Sequence, residues 1–154
     1  DMTGTVPSIL RPGGVTLEDI RTVLPNVVMD KGLVSANERP KCPGMKYKHY
    51  SPKADVEVVM GDKKNVREYI IKQLETEKNA GVMTYKGGDY ENAVCILSAG
   101  DDMSEYAAKL FYNLRVFDEY GVGKIFAEFA SEDGIGYAVR NRLYKAAGNN
   151  ITEV

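Results

Sequence analysis

The chain has 154 residues, 44% of them apolar and 27% charged, with a formal net charge of −2. A chain of this length buries roughly 68–70% of its unfolded surface, so it needs neither disulfides nor a structural metal to hold a core. The composition excludes wholesale disorder, collagen-like repeats and coiled coils, no apolar run approaches a membrane span, and the charge balance argues against a surface built for nucleic acid or anionic lipid. The two cysteines, Cys42 and Cys95, lack metal-type spacing and read as reduced thiols of a cytoplasmic protein. His49 is the single histidine, which excludes a two-histidine metal site. No signal segment opens the chain; Asp1-Met2 is the start expected of a cut within a longer protein.

Taken in order, Thr5 to Leu10 alternates as a short strand and runs into the Arg11-Pro12-Gly13-Gly14 turn. Thr16 is an N-cap with Asp19 in the capping-box position, and the helix that follows carries Leu17, Ile20, Val23 and Leu24 on one face until Pro25 stops it. One strand and one short helix cannot enclose a core, so residues 1–30 read as the remnant of a domain that precedes them. Residues 31–54 show neither helical nor strand period and read as a linker. Its stretch Arg39 to Lys53 carries Arg39, Lys41, Lys46, Lys48 and Lys53 and no acid, Tyr47, His49 and Tyr50 are interleaved, and Pro40, Pro43 and Pro52 stiffen the path. Two readings stay open: a solvated linker, or an arm that closes over an anionic ligand through lysine charge and tyrosine rings. The acidic balance elsewhere favours a small phosphorylated ligand over a long nucleic acid.

Residues 55–154 are regular. Val56 to Met60 reads as a strand ending at Gly61, and Asp62 caps a helix with Val66, Tyr69, Ile70 and Leu74 on its apolar face. Gly81 to Tyr85 and Ala93 to Leu97 are β-rich. Asp102, paired with Glu105 as a capping box, opens a helix through Met103, Ala107, Leu110, Phe111, Leu114 and Phe117, which Gly121 and Gly123 end. Ile125 to Phe129 is the next strand. A last helix spans Gly134 to Ala147, with Asp133 as its cap and Gly148 just beyond it. The order predicts an open, mostly parallel Rossmann-like α/β sheet with helices on both faces and right-handed crossovers.

Ligands of such sheets sit at the carboxyl ends of the strands, here Gly61-Asp62, Ser98 to Asp102 and Ala130 to Asp133. None carries a dinucleotide or Walker fingerprint. Gly121-Val122-Gly123-Lys124 precedes a strand and reads as a helix stop. Asp101, Asp102 and Asp133 read as helix caps before cation ligands, and Cys95 as a small core residue. Residues 55–154 therefore offer no catalytic constellation, and no metal site.

Two stretches carry a resemblance: Ser8-Ile9-Leu10-Arg11-Pro12-Gly13 with Thr16 and Ile20, and Pro43-Gly44-Met45-Lys46-Tyr47-Lys48-His49-Tyr50-Ser51-Pro52-Lys53-Ala54. Together with Asn141-Arg142-Leu143 and the α/β layout, they make the chain resemble the two-domain YrdC-type threonylcarbamoyl-AMP synthases over its whole length. The resemblance implies three parts: residues 1–30 from the end of a YrdC-like catalytic domain, 31–54 as linker, and 55–154 as a Rossmann-like C-terminal domain. It further implies a nucleotidyltransferase that converts L-threonine, bicarbonate and ATP, with Mg2+, into threonylcarbamoyl-AMP and pyrophosphate. The product would pass to the machinery that forms threonylcarbamoyladenosine in tRNA. Arg11 would contact the nucleotide, and Lys46, Tyr47, His49 and Tyr50 would form an active-site lid that excludes water. The family's basic K-x-R region and the serine of its S-T-V-V-D strand would lie in the missing N-terminal domain. No catalytic residue, bound cofactor or activity is therefore expected of this fragment alone, and neither membrane nor direct tRNA contact. The alternatives are a regulatory domain that holds its own nucleotide or effector at the Gly61, Gly100 and Asp133 edge, and a structural domain for self-association.

Overall fold

The computed structural model describes residues 1–30, 51–130 and 133–154. The first described segment is an arm in which β1 (Ser8–Ile9) pairs in parallel with β2 (Val28–Met29) around α1 (Leu17–Arg21). Thr16 caps α1 as expected: its hydroxyl accepts from the Asp19 amide while Asp19 accepts from the Thr16 amide. The strand is shorter than the alternation of Thr5 to Leu10 predicts. The helix also stops at Arg21, short of Val23 and Leu24, and it buries no residue. Its apolar residues Leu17 and Ile20 are only half-buried, and Val23 beyond its end is 79% exposed.

The rest is one five-stranded sheet, with strand order β5-β4-β6-β3-β7 and every pairing parallel. Its strands are β3 (Asp55–Met60), β4 (Ala80–Tyr85), β5 (Cys95–Gly100), β6 (Lys124–Phe129) and β7 (Ile151–Glu153). The helices are α2 (Lys63–Leu74), α3 (Met103–Tyr120) and α4 (Ile135–Ala147). The chain steps one way across the sheet from β3 through α2 to β4, and the opposite way from β5 through α3 to β6 and from β6 through α4 to β7. Crossovers of a single hand then require α2 on one face and α3 with α4 on the other. The packing obeys this. Val66, Ile70 and Leu74 of α2 meet Val59, Val82 and Phe126 on one face. Leu110, Leu114 and Phe117 of α3, with Val139 and Leu143 of α4, meet Val56, Val58, Met83, Ile125 and Ala127 on the other. Because strand side chains alternate between faces and both faces are covered, the sheet reads as nearly continuous apolar sequence. Each such side chain contributes about 1.5–3 kcal/mol when fully buried.

The helix ends follow from their local chemistry. Asp62 accepts from the Lys64 amide, and Asp102 from the amides of Ser104 and Glu105. Glu105 does not complete a capping box, because its carboxylate is held by Lys109 one turn on, at 2.8 Å. Gly121 and Gly148 close α3 and α4 in the left-handed conformation. Asp133 is not the cap of α4. That position falls to Gly134, which has no side-chain cap bond, and Asp133 contributes its carbonyl to the Gly136 amide. β7, which the sequence does not announce, lies along the carboxyl half of β3 (Val58↔Ile151 to Met60↔Glu153). Gly61 is needed there: a Cβ on it would lie 1.9 Å from the Val154 carbonyl oxygen.

Candidate functional site

Arg11 stands exposed at the head of the turn after β1, where it lines an open concavity of about 700 Å3 shared with Ser8, Leu10, Ile20 and Leu24. The turn itself is fastened to the main sheet's outer helix. Pro12 is buried, and its carbonyl accepts from Nη1 of Arg142 on α4 at 3.3 Å, while the same nitrogen donates to the Ala138 carbonyl at 3.0 Å. Burial lowers Arg142 from its ordinary value, and the positive charge of Arg11 beside it adds to that. Two guanidinium groups thus flank one turn, one exposed and one half-buried. Beneath them a smaller cavity of about 210 Å3 separates the arm from the start of α4, between Ile9, Thr16, Met29 and Tyr137.

Lys46, Tyr47, His49 and Tyr50 lie outside the described residues, as does Cys42. The end of that motif is described: Ser51 and Pro52 lie against Phe111, Leu114 and Arg115 of α3, and the Lys53 amide donates to Asp118 at 2.7 Å. The chain therefore enters β3 from a point anchored on α3. Cys95 is buried, and burial pushes its thiol up, so it is the core residue its apolar surroundings predict. Among the described residues no three His, Cys, Asp or Glu groups converge to hold a metal ion, and no helix is long and apolar enough to cross a membrane.

Two acids within strands, neither singled out by the sequence, are buried on the α2 face of the sheet. Glu57 accepts from Tyr69 at 2.7 Å, from Thr152 at 2.8 Å and from Lys124 at 2.9 Å. Burial opposes its ionisation, but those three donors outweigh it and hold its carboxyl below the usual range. Glu128, at the other end of the sheet, accepts from the Tyr85 amide at 2.7 Å and from the Tyr90 hydroxyl. Here burial wins, and its carboxyl lies above the usual range. Alternation alone cannot expose either residue; the cue is a carboxylate inside a strand whose neighbours on both faces are apolar.

A doubly covered, all-parallel α/β sheet with an arm docked on its last helix is the Rossmann-like class of architecture that the sequence predicts. Residues 15–148 match the family model described as "Threonylcarbamoyl-AMP synthase, C-terminal domain". The chain belongs to that family. It is 39% identical over 150 residues to threonylcarbamoyl-AMP synthase of Bacillus subtilis, covering 95% of this chain and 43% of the relative. It is 41% identical over 159 residues to the Pyrococcus abyssi enzyme of the same name, covering 100% and 46%. Among solved structures, the Pyrococcus abyssi Sua5 protein complexed with L-threonine superposes with a TM-score of 0.88 at 38% identity, over 100% of this chain and 46% of that one. The C-terminal Sua5 domain from Pyrococcus horikoshii gives a TM-score of 0.56 at 34% identity, over 68% of this chain and 100% of that one. The chain thus spans less than half the length of the full-length relatives it matches.

Proposed function

We propose that the chain is the C-terminal part of a cytoplasmic threonylcarbamoyl-AMP synthase. In this reading residues 1–30 close the YrdC-like catalytic domain, 31–54 link it onward, and 55–154 form the C-terminal domain. The complete enzyme would join L-threonine, bicarbonate and ATP into threonylcarbamoyl-AMP with release of pyrophosphate, for use in tRNA modification. The observation that carries the reading is the superposition of the whole chain, arm included, on a relative complexed with L-threonine. The arm's surface supports it. Met2, Val6, Val15, Val23 and Val28 are exposed, as expected of side chains that a further domain covers.

In that enzyme Arg11, exposed on its concavity, neutralises charge on the nucleotide's phosphates. Magnesium would travel with those phosphates, since the described residues supply no converging ligand set of their own. By sequence resemblance alone, Lys46, Tyr47, His49 and Tyr50 cover the site during the reaction and protect an intermediate that water would destroy. The 154-residue chain by itself would neither bind ATP tightly nor form the adenylate. The test is ATP–pyrophosphate exchange, measured for the full-length protein, its Arg11→Ala variant and this chain alone. The reading expects exchange by the first, a loss of about tenfold or more in the second, and none in the third; exchange by the isolated chain would refute it.

A further inference from the structure

Glu128 has no part in the reaction proposed above, yet it sits in a formed cavity of about 270 Å3. This cavity lies where β3 and β6, neighbours in the sheet, send their helices to opposite faces, the position at which open α/β sheets take ligands. Its apolar wall is Val66, Tyr85, Phe129 and Ala130. Lys63 from α2 and Lys86 from the end of β4 stand at its rim, and their placement breaks two local rules. The first turn of α2 carries Lys63 and Lys64 and no acid, against the helix dipole. Lys86 holds a left-handed backbone at φ 57°. The two are tied together, since Lys63 Nζ donates to the Lys86 carbonyl at 2.9 Å. The Lys86 ammonium lies 5.3 Å from the centre of the Tyr85 ring, so both cations border the same cavity.

The floor has a different chemistry. Glu128 is 6% exposed, and each of its carboxylate oxygens already accepts one bond, from Tyr90 and from the Tyr85 amide. A carboxylate has about four acceptor sites, so two remain for donors on a ligand. The volume is close to the lower end of small-molecule sites, roughly 300–1,000 Å3, which suits one ring system and rules out a dinucleotide.

We propose that this cavity is a second ligand site that takes a nucleoside monophosphate, with the base against Val66, Tyr85 and Phe129, an N–H edge of the base on Glu128, and the phosphate on Lys63 and Lys86. The site stands on the main sheet and is independent of Arg11 and of the synthase reading. Calorimetric titration of the 154-residue chain with AMP, GMP, CMP, UMP and inorganic phosphate tests it. At least one mononucleotide should bind saturably with a Kd below about 1 mM, and phosphate alone about tenfold more weakly. The Lys63→Met/Lys86→Gly variant, whose glycine keeps the left-handed backbone while removing the charge, should lose about tenfold in affinity. Arg11→Ala should bind as the unaltered chain does. The proposal falls if no mononucleotide binds, if phosphate binds as well as the nucleotides, or if Arg11→Ala abolishes binding that the double lysine variant retains.

Discussion

Arg142 of α4 binds the carbonyl of Pro12 in the arm, and through that bond the outer helix of the main sheet holds the turn that presents Arg11. A hydrogen bond from a charged donor is worth about 1.5–3 kcal/mol, a large share of the docking of an arm whose own helix buries nothing. Arg142→Met should therefore free the arm without unfolding the sheet. Amide exchange in residues 8–30 should accelerate about tenfold or more, while that of β3 and β6 holds. Equal acceleration in both regions would show that Arg142 supports the sheet and not the turn.

Glu57 makes stability depend on acid. Its carboxyl is depressed below the unfolded value by Tyr69, Lys124 and Thr152 acting against burial. Its contribution is thus fully present above the unfolded carboxylate pKa and is lost as pH falls through the lower folded value. Glu57→Gln should lower stability near neutrality by about 1–3 kcal/mol and flatten the acid limb of a plot of unfolding free energy against pH. Urea titrations at a series of pH values decide it; an unchanged acid limb would remove Glu57 from the account.

What the sequence disclosed was mostly local chemistry. Asp62, Asp102, Gly121 and Gly148 announce helix ends because capping needs one side chain or one backbone conformation at a fixed offset. β7 stayed hidden because Ile151–Glu153 is three residues long and half-exposed, so its pairing depends on β3 and not on any period of its own. The insertion of β6 between β3 and β4 is a property of packing that no segment carries. The burial of Glu57 and Glu128 was not legible either, because it depends on α2 covering that face of the sheet. Arg11 and the Asn141-Arg142-Leu143 run were both visible as motifs, but their meeting through Pro12, about 130 residues apart in sequence, was not.

Gly61 should tolerate no side chain. Its φ of 142° and the Val154 carbonyl, 1.9 Å from the position of a Cβ, both oppose alanine. Gly61→Ala should cost about 1–3 kcal/mol, which lowers Tm by about 2–12 °C, and should expose the β7 amides first. Thermal unfolding with amide exchange at Ile151–Glu153 checks both; an unchanged Tm would mean that β7 moves aside at no cost.

If the tyrosine–histidine stretch covers the reaction, Tyr47→Ala and His49→Ala in the full-length protein should each lower the rate by about tenfold or more. Circular dichroism and Tm of residues 55–154 should stay as they are. Full activity in both variants would leave the stretch a plain connector.

The most direct measurement is chromatographic and mass-spectrometric detection of threonylcarbamoyl-AMP when the full-length protein that carries this chain is supplied with L-threonine, bicarbonate and ATP. The account predicts the adenylate together with pyrophosphate, formed only when both threonine and bicarbonate are present. Pyrophosphate release indifferent to threonine, or no adenylate at all, would contradict it.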